Sequence, residues 1–148
     1  MTYDFVGTHV FADVYDVPTD KITNNDLILQ ALRVGISRSG ASICSVQTKN
    51  FEPSGFTAVF LLSESHVAVH TYPDTHSLFI DTFTCGTNCR PEKVVEALVE
   101  SLEAGNHRMS VIQRGVPSSS LPAAAPPASG VQKGKSLDNG TGRALAGI

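Results

Sequence analysis

From residue 8 to residue 16 the chain alternates, with Val10, Ala12 and Val14 on one side and Phe11, Asp13 and Tyr15 on the other. A period of two sends successive side chains to opposite faces, so this stretch predicts a strand with one buried face. The period then changes. In "TNNDLILQALRVGISRSG", Leu27, Ile28, Ala31, Leu32 and Ile36 recur at helical spacing, with Asn24 or Asn25 available as a cap and Gly40 as a stop. Strands are predicted at about 42–48, 56–62, 66–70 and 78–84, separated by the turn-forming stretches "EPSG" and "YPDTH". A second helix follows in "RPEKVVEALVESLEAG", where Pro91 suits the first turn and Val94, Val95, Leu98 and Leu102 share a face. "MSVIQR" closes as a strand. The order β-α-β-β-β-β-α-β predicts an α+β fold, a two-layer α/β sandwich whose mainly antiparallel sheet carries two helices on one face. The other face must then meet solvent or a partner subunit.

The pattern stops at residue 116. The remainder, "VPSSSLPAAAPPASGVQKGKSLDNGTGRALAGI", is rich in Pro, Ala, Ser and Gly and almost free of large apolar residues. Such a segment cannot bury enough surface to offset the entropy of ordering, so a disordered tail is expected over 116–148 beside one folded domain, 1–115. A net charge of −3 with 11 scattered Lys and Arg supplies no basic stripe, which argues against nucleic acid as a main partner. No apolar run approaches a membrane span and the N-terminus has no signal-peptide pattern, so a soluble, cytoplasmic protein is expected, without a membrane partner. Three cysteines (Cys44, Cys85 and Cys89) are an odd number that argues against a disulfide framework and leaves room for a reactive thiol.

One interruption of the apolar pattern calls for chemistry. In "LSESHVAVHTYP", Glu64, Ser65 and His66 separate the runs "FTAVFLL" and "VAV", and His70 follows five residues after Ser65. A metal site is the first candidate, from His66, His70, His76, Cys85 and Cys89. Residues four apart on a strand are roughly 13 Å apart at ~3.3 Å each, so His66 and His70 cannot share an ion on an unbroken strand. Cys85 and Cys89 also lack the second ligand pair of a structural zinc site, and no metal is predicted. A serine hydrolase needs its nucleophile on a sharp, glycine-flanked turn, and "SESHV" has no glycine. The plainest alternative is two exposed histidines on a half-buried strand.

"SESH", "HTYP" and "DTFTCG" fall within some two dozen residues, and the series resembles the prokaryotic S-adenosylmethionine decarboxylases in identity and spacing. The resemblance also takes in "GTHVFADVYD", "SGASI", "FEPSGFTAVFLLSESH" and the pair Arg114–Gly115. It implies a self-processing enzyme that releases carbon dioxide from S-adenosylmethionine and feeds spermidine biosynthesis. The Ser65 hydroxyl would attack the Glu64 carbonyl, convert the peptide bond to an ester, and after elimination leave a covalent pyruvoyl group on residue 65. That ketone would condense with the substrate amine as a Schiff base and accept the electron pair released with carbon dioxide. By the same resemblance His70 is the base of the elimination, Cys85 the acid that reprotonates the substrate, and Thr57 the hydroxyl that assists ester formation. Phe51, Tyr72 and Asp74 are implied as substrate contacts, and a homodimer of cleaved protomers as the assembly.

The chain departs from the family around the implied pocket. Lys49 stands where a histidine is usual, Asp74 replaces a glutamate, and His76 and Ser77 replace a glycine and an aromatic. These changes bear on the substrate more than on the reaction. They keep open a pyruvoyl-dependent ornithine or arginine decarboxylase of the same fold, and a catalytically inactive regulatory homologue. Intact Ser65, His70 and Cys85 argue against the last.

Overall fold

The computed structural model describes residues 6–115; the predicted tail, 116–148, lies outside the described residues. The elements are β1 (Gly7–Tyr15), α1 (Thr19–Ile22), α2 (Asn25–Ser39), β2 (Ile43–Asn50), β3 (Phe56–Leu62), β4 (Ser65–Tyr72), a 3-10 turn (Pro73–Thr75), β5 (Ser77–Cys85), α3 (Glu92–Ser101) and β6 (Asn106–Arg114). The six strands form one sheet in the order β2-β3-β4-β5-β1-β6, with every neighbouring pair antiparallel. This is the α+β sandwich the patterning predicts.

Local chemistry accounts for the ends of the elements. Asn24 caps α2, its side-chain oxygen accepting the Leu27 N–H at 3.0 Å. Gly40 ends the helix in the left-handed region, at φ 88°. The short helix α1 is not signalled by any apolar period; four residues are too few to show one. The predicted strand 66–70 extends to Ser65–Tyr72, because the ladder to β3 and β5 continues past the apolar residues that reveal it.

The core lies between the sheet and the helices. Val10, Ala12 and Val14 of β1 meet Ala58 and Phe60 of β3, Val67 and Val69 of β4, and Leu78 and Ile80 of β5 in one cluster with Ile28, Leu32 and Ile36 of α2 and Val94 and Leu98 of α3. The two helices pack closely at Gly35, where a Cβ would sit 2.7 Å from the Val94 Cα. Among the described residues no helix covers the opposite side of the sheet, its bare face. Phe11, Val59, Leu61, Tyr72 and Phe79 lie between 40% and 55% exposed there.

Candidate active site

Ser65 is the first residue of β4 and follows a two-residue turn, Ser63–Glu64, since Leu62 pairs with Ser65 across the hairpin. Glu64 is held at φ 62°, the left-handed region. An L residue there carries strain on the order of 1 kcal/mol, one bond from the predicted cleavage point. The buried Ser65 hydroxyl oxygen accepts the backbone N–H of Cys85 at 3.1 Å. The Cys85 thiol donates to the Glu64 carbonyl oxygen at 2.9 Å. Thus one residue at the end of β5 holds both reacting groups of the predicted rearrangement: the hydroxyl and the carbonyl it would attack. A cavity of about 230 Å³ opens beside them, lined in part by Gly40, Glu64, Ser65 and Cys85. Cys89, to which the sequence assigns no role, lines the same cavity, whereas Cys44 is exposed and does not line it.

The remaining predicted residues gather at the other end of the hairpin. Thr57 pairs with His70 across β3 and β4, and its hydroxyl lies 2.8 Å from His70 Nδ1. Phe51 and Tyr72 join them around a cavity of about 270 Å³. Tyr72 packs on Phe79 with ring centroids 4.9 Å apart. Lys49 is the cross-strand partner of Thr57 but is exposed and does not line the cavity. Asp74 is exposed on the 3-10 turn, accepts a long 3.4 Å hydrogen bond from Ser54, and does not line the cavity.

Ser65 and His70 are not brought together within one protomer. Five residues of extended strand separate them, roughly 16 Å at ~3.3 Å per residue, and an odd separation puts their side chains on opposite faces. Ser65 is buried toward the helices and His70 is exposed on the bare face. The spacing in the sequence hides this, because the two lie close along the chain.

Of the metal-ligand candidates read from the sequence, His70 meets Thr57 and His76 Nδ1 lies 3.2 Å from the Val17 carbonyl. A different group forms instead. His9, His66 and Asp81 bring their ligand atoms within 4.8 Å of one another. The tautomer of His9 decides what the group can do. Arg114 Nη1, a donor only, lies 3.0 Å from His9 Nδ1, so that nitrogen accepts and the proton sits on Nε2, which hydrogen-bonds Asp81. A metal would need Nε2 free of its proton and Nδ1–H donating to an acceptor, the reverse of this arrangement.

Comparisons with known proteins give the family. The family model described as S-adenosylmethionine decarboxylase matches residues 8–115. The chain belongs to the S-adenosylmethionine decarboxylase family. An S-adenosylmethionine decarboxylase proenzyme of Synechococcus sp. (strain WH7803) is 35% identical over 112 residues, 76% of this chain and 88% of that protein. A proenzyme 2 of Bacillus anthracis is 33% identical over 116 residues, 78% of this chain and 94% of that one. The crystal structure of the adenosylmethionine decarboxylase from Aquifex aeolicus vf5 superposes with a TM-score of 0.69 at 26% identity, covering 79% of this chain and 97% of that one. The region matched by the family model stops where the predicted tail begins. Among the described residues no helix is long and apolar enough to cross a membrane.

Proposed function

We propose that this chain is a self-processing decarboxylase of S-adenosylmethionine, cleaved between Glu64 and Ser65, with its pyruvoyl group made from Ser65. The observation that carries the proposal is the double contact from Cys85. Attack by Ser65 Oγ on the Glu64 carbonyl carbon builds negative charge on the carbonyl oxygen, where the Cys85 thiol already donates. The Cys85 N–H holds Oγ, and the left-handed Glu64 loses its constraint when the chain is cut. The residues present fit the group: the future residue 65 is buried at a strand start, beside a cavity and a thiol. A pyruvoyl ketone would supply an electron sink for the pair released with carbon dioxide. Its position beside the same cavity supports Cys85 as the proton donor to the substrate carbon, a thiol being a far better acid than an alcohol.

The two separated groups support a homodimer in which each active site takes Ser65 and Cys85 from one protomer and Thr57, His70, Phe51 and Tyr72 from its partner. Cavities of about 230 and 270 Å³ are each below the ~300–1,000 Å³ usual for a ligand of this size. Stacking two bare faces with β4 antiparallel to its copy would bring the second group of one protomer to the sheet end of the other where Cys85, on the same side as Phe79 and Asp81, borders the Glu64–Ser65 turn. Phe51 and Tyr72 then offer aromatic surface to an adenine ring and a sulfonium. That equipment, together with the named relatives, favours S-adenosylmethionine over ornithine or arginine, which have no ring to stack.

The test is direct. Mass spectrometry of purified protein should give fragments 1–64 and 65–148, the second carrying a ketone at its N-terminus, and the cleaved protein should release carbon dioxide from S-adenosylmethionine. Intact protein without a carbonyl group sinks the processing reading. Release from ornithine or arginine, with none from S-adenosylmethionine, sinks the substrate alone.

A further inference from the structure

His66 and Asp81 belong to the sequence series but have no part in the steps above. They lie on the bare face, where His66 Nε2 is 3.3 Å from Asp81 Oδ1. The same oxygen accepts His9 Nε2–H, and Arg114 holds His9 from behind. The four residues sit one per strand on β4, β5, β1 and β6, which are consecutive in the sheet. Phe11 stacks on the His9 ring at 4.3 Å, and Arg114 lies 5.7 Å from the centre of the Phe83 ring. The Asp81 backbone is paired with Ala68 of β4, but its carboxylate is also held from outside β4, by His9 backed by Arg114.

Cutting the chain before residue 65 changes what this network holds. In the uncut chain residue 65 is restrained covalently on both sides. Afterwards it is a chain end, bonded only to His66, and chain ends fray unless tied down. Because side chains alternate across a strand, anchoring His66 on the bare face fixes the torsions that aim residue 65 toward the opposite face.

We propose that Asp81 is a positioning residue for turnover: held by His9 and Arg114, it clamps His66 and so fixes the reactive group at residue 65 after cleavage. The inference rests on the pyruvoyl reading. Its chemistry requires the ketone to meet substrate and Cys85 in one orientation, and a misplacement near 1 Å is enough to cost on the order of 100-fold in rate.

The test uses cleaved protein of four variants: Asp81→Ala, Asp81→Asn, His66→Ala and the double alanine variant. Asparagine keeps an oxygen with two lone pairs for both histidines and removes only the charge. Asp81→Ala should lower kcat on the order of 10- to 100-fold with KM within about twofold of wild type. Asp81→Asn should retain at least about half of kcat, and the double variant should be no worse than the poorer single one, as for two parts of one clamp. Hydrogen exchange of segment 65–72, a readout independent of substrate, should quicken in Asp81→Ala and match wild type in Asp81→Asn. Multiplying single effects, an asparagine as damaging as alanine, unchanged exchange in Asp81→Ala, or conversion of that variant to monomer by light scattering would each overturn the clamp. Wild-type protein that is cleaved yet inert toward S-adenosylmethionine overturns the substrate reading instead, and the exchange comparison still decides the clamp.

Discussion

The two ends of β4 are built differently. At its start, Ser65 is buried, follows a strained turn and accepts the Cys85 N–H, while the Cys85 thiol donates to the preceding Glu64 carbonyl. Toward its end, His70 is exposed on the bare face, paired with Thr57 and bordered by the aromatic rings of Phe51 and Tyr72. The first end holds the groups that must not move during a rearrangement of the backbone, and burial with short hydrogen bonds supplies that rigidity. The second holds groups that must reach something else, and it leaves them uncovered. A single sheet cannot bring both ends together, because its strand is straight and its side chains alternate. The proposed homodimer would answer this division by supplying the second end from a second copy.

Breaking the first end should have the largest effect. Ser65→Ala removes the hydroxyl on which both bond changes depend, so the protein should stay full length on a denaturing gel and show no decarboxylation. Mixed assemblies test whether the two ends meet between protomers. When Ser65→Ala and His70→Ala chains are expressed together with different tags, the His70→Ala chain should be cleaved in the mixed dimer, since its Ser65 would face an intact His70. A His70→Ala chain that stays uncut in the mixed dimer would show that each protomer acts alone.

Cys85→Ser separates the holding of the carbonyl from the later proton transfer. On protein that has already cleaved, turnover should fall on the order of 100-fold or more, the range of a lost general acid. Cys89→Ala should leave turnover near wild type although Cys89 borders the same cavity; an equal loss would reassign the catalytic thiol. At the second end, Phe51→Ala should lower kcat/KM for S-adenosylmethionine by about 1–3 kcal/mol, the scale of a lost base–aromatic stack, without changing the extent of cleavage. The smallest effect is expected from deleting residues 116–148. The core cluster of the described residues is drawn from Val10 through Leu102, so melting temperature and processing should stay close to those of the full chain.

The sequence alone determined the layered fold and most of its elements, because apolar period is a local property. The alternation at Val10, Ala12 and Val14 and the helical spacing from Ile28 to Ile36 both reappear as buried faces of the core. It also carried the family, through three short motifs in register. The tertiary structure decided which of those residues meet. Cys85 reaches Glu64 and Ser65 because β5 runs antiparallel beside β4, whereas His70, much closer to Ser65 along the chain, is carried away by the rise of the strand. The links of Asp81 to His9, and of His9 to Arg114, were not legible either. These residues are 72 and 105 positions apart along the chain, and only the strand order β5-β1-β6 makes them neighbours. Period and motif are written along the chain, but proximity across a sheet is set by which strands pair and in what register.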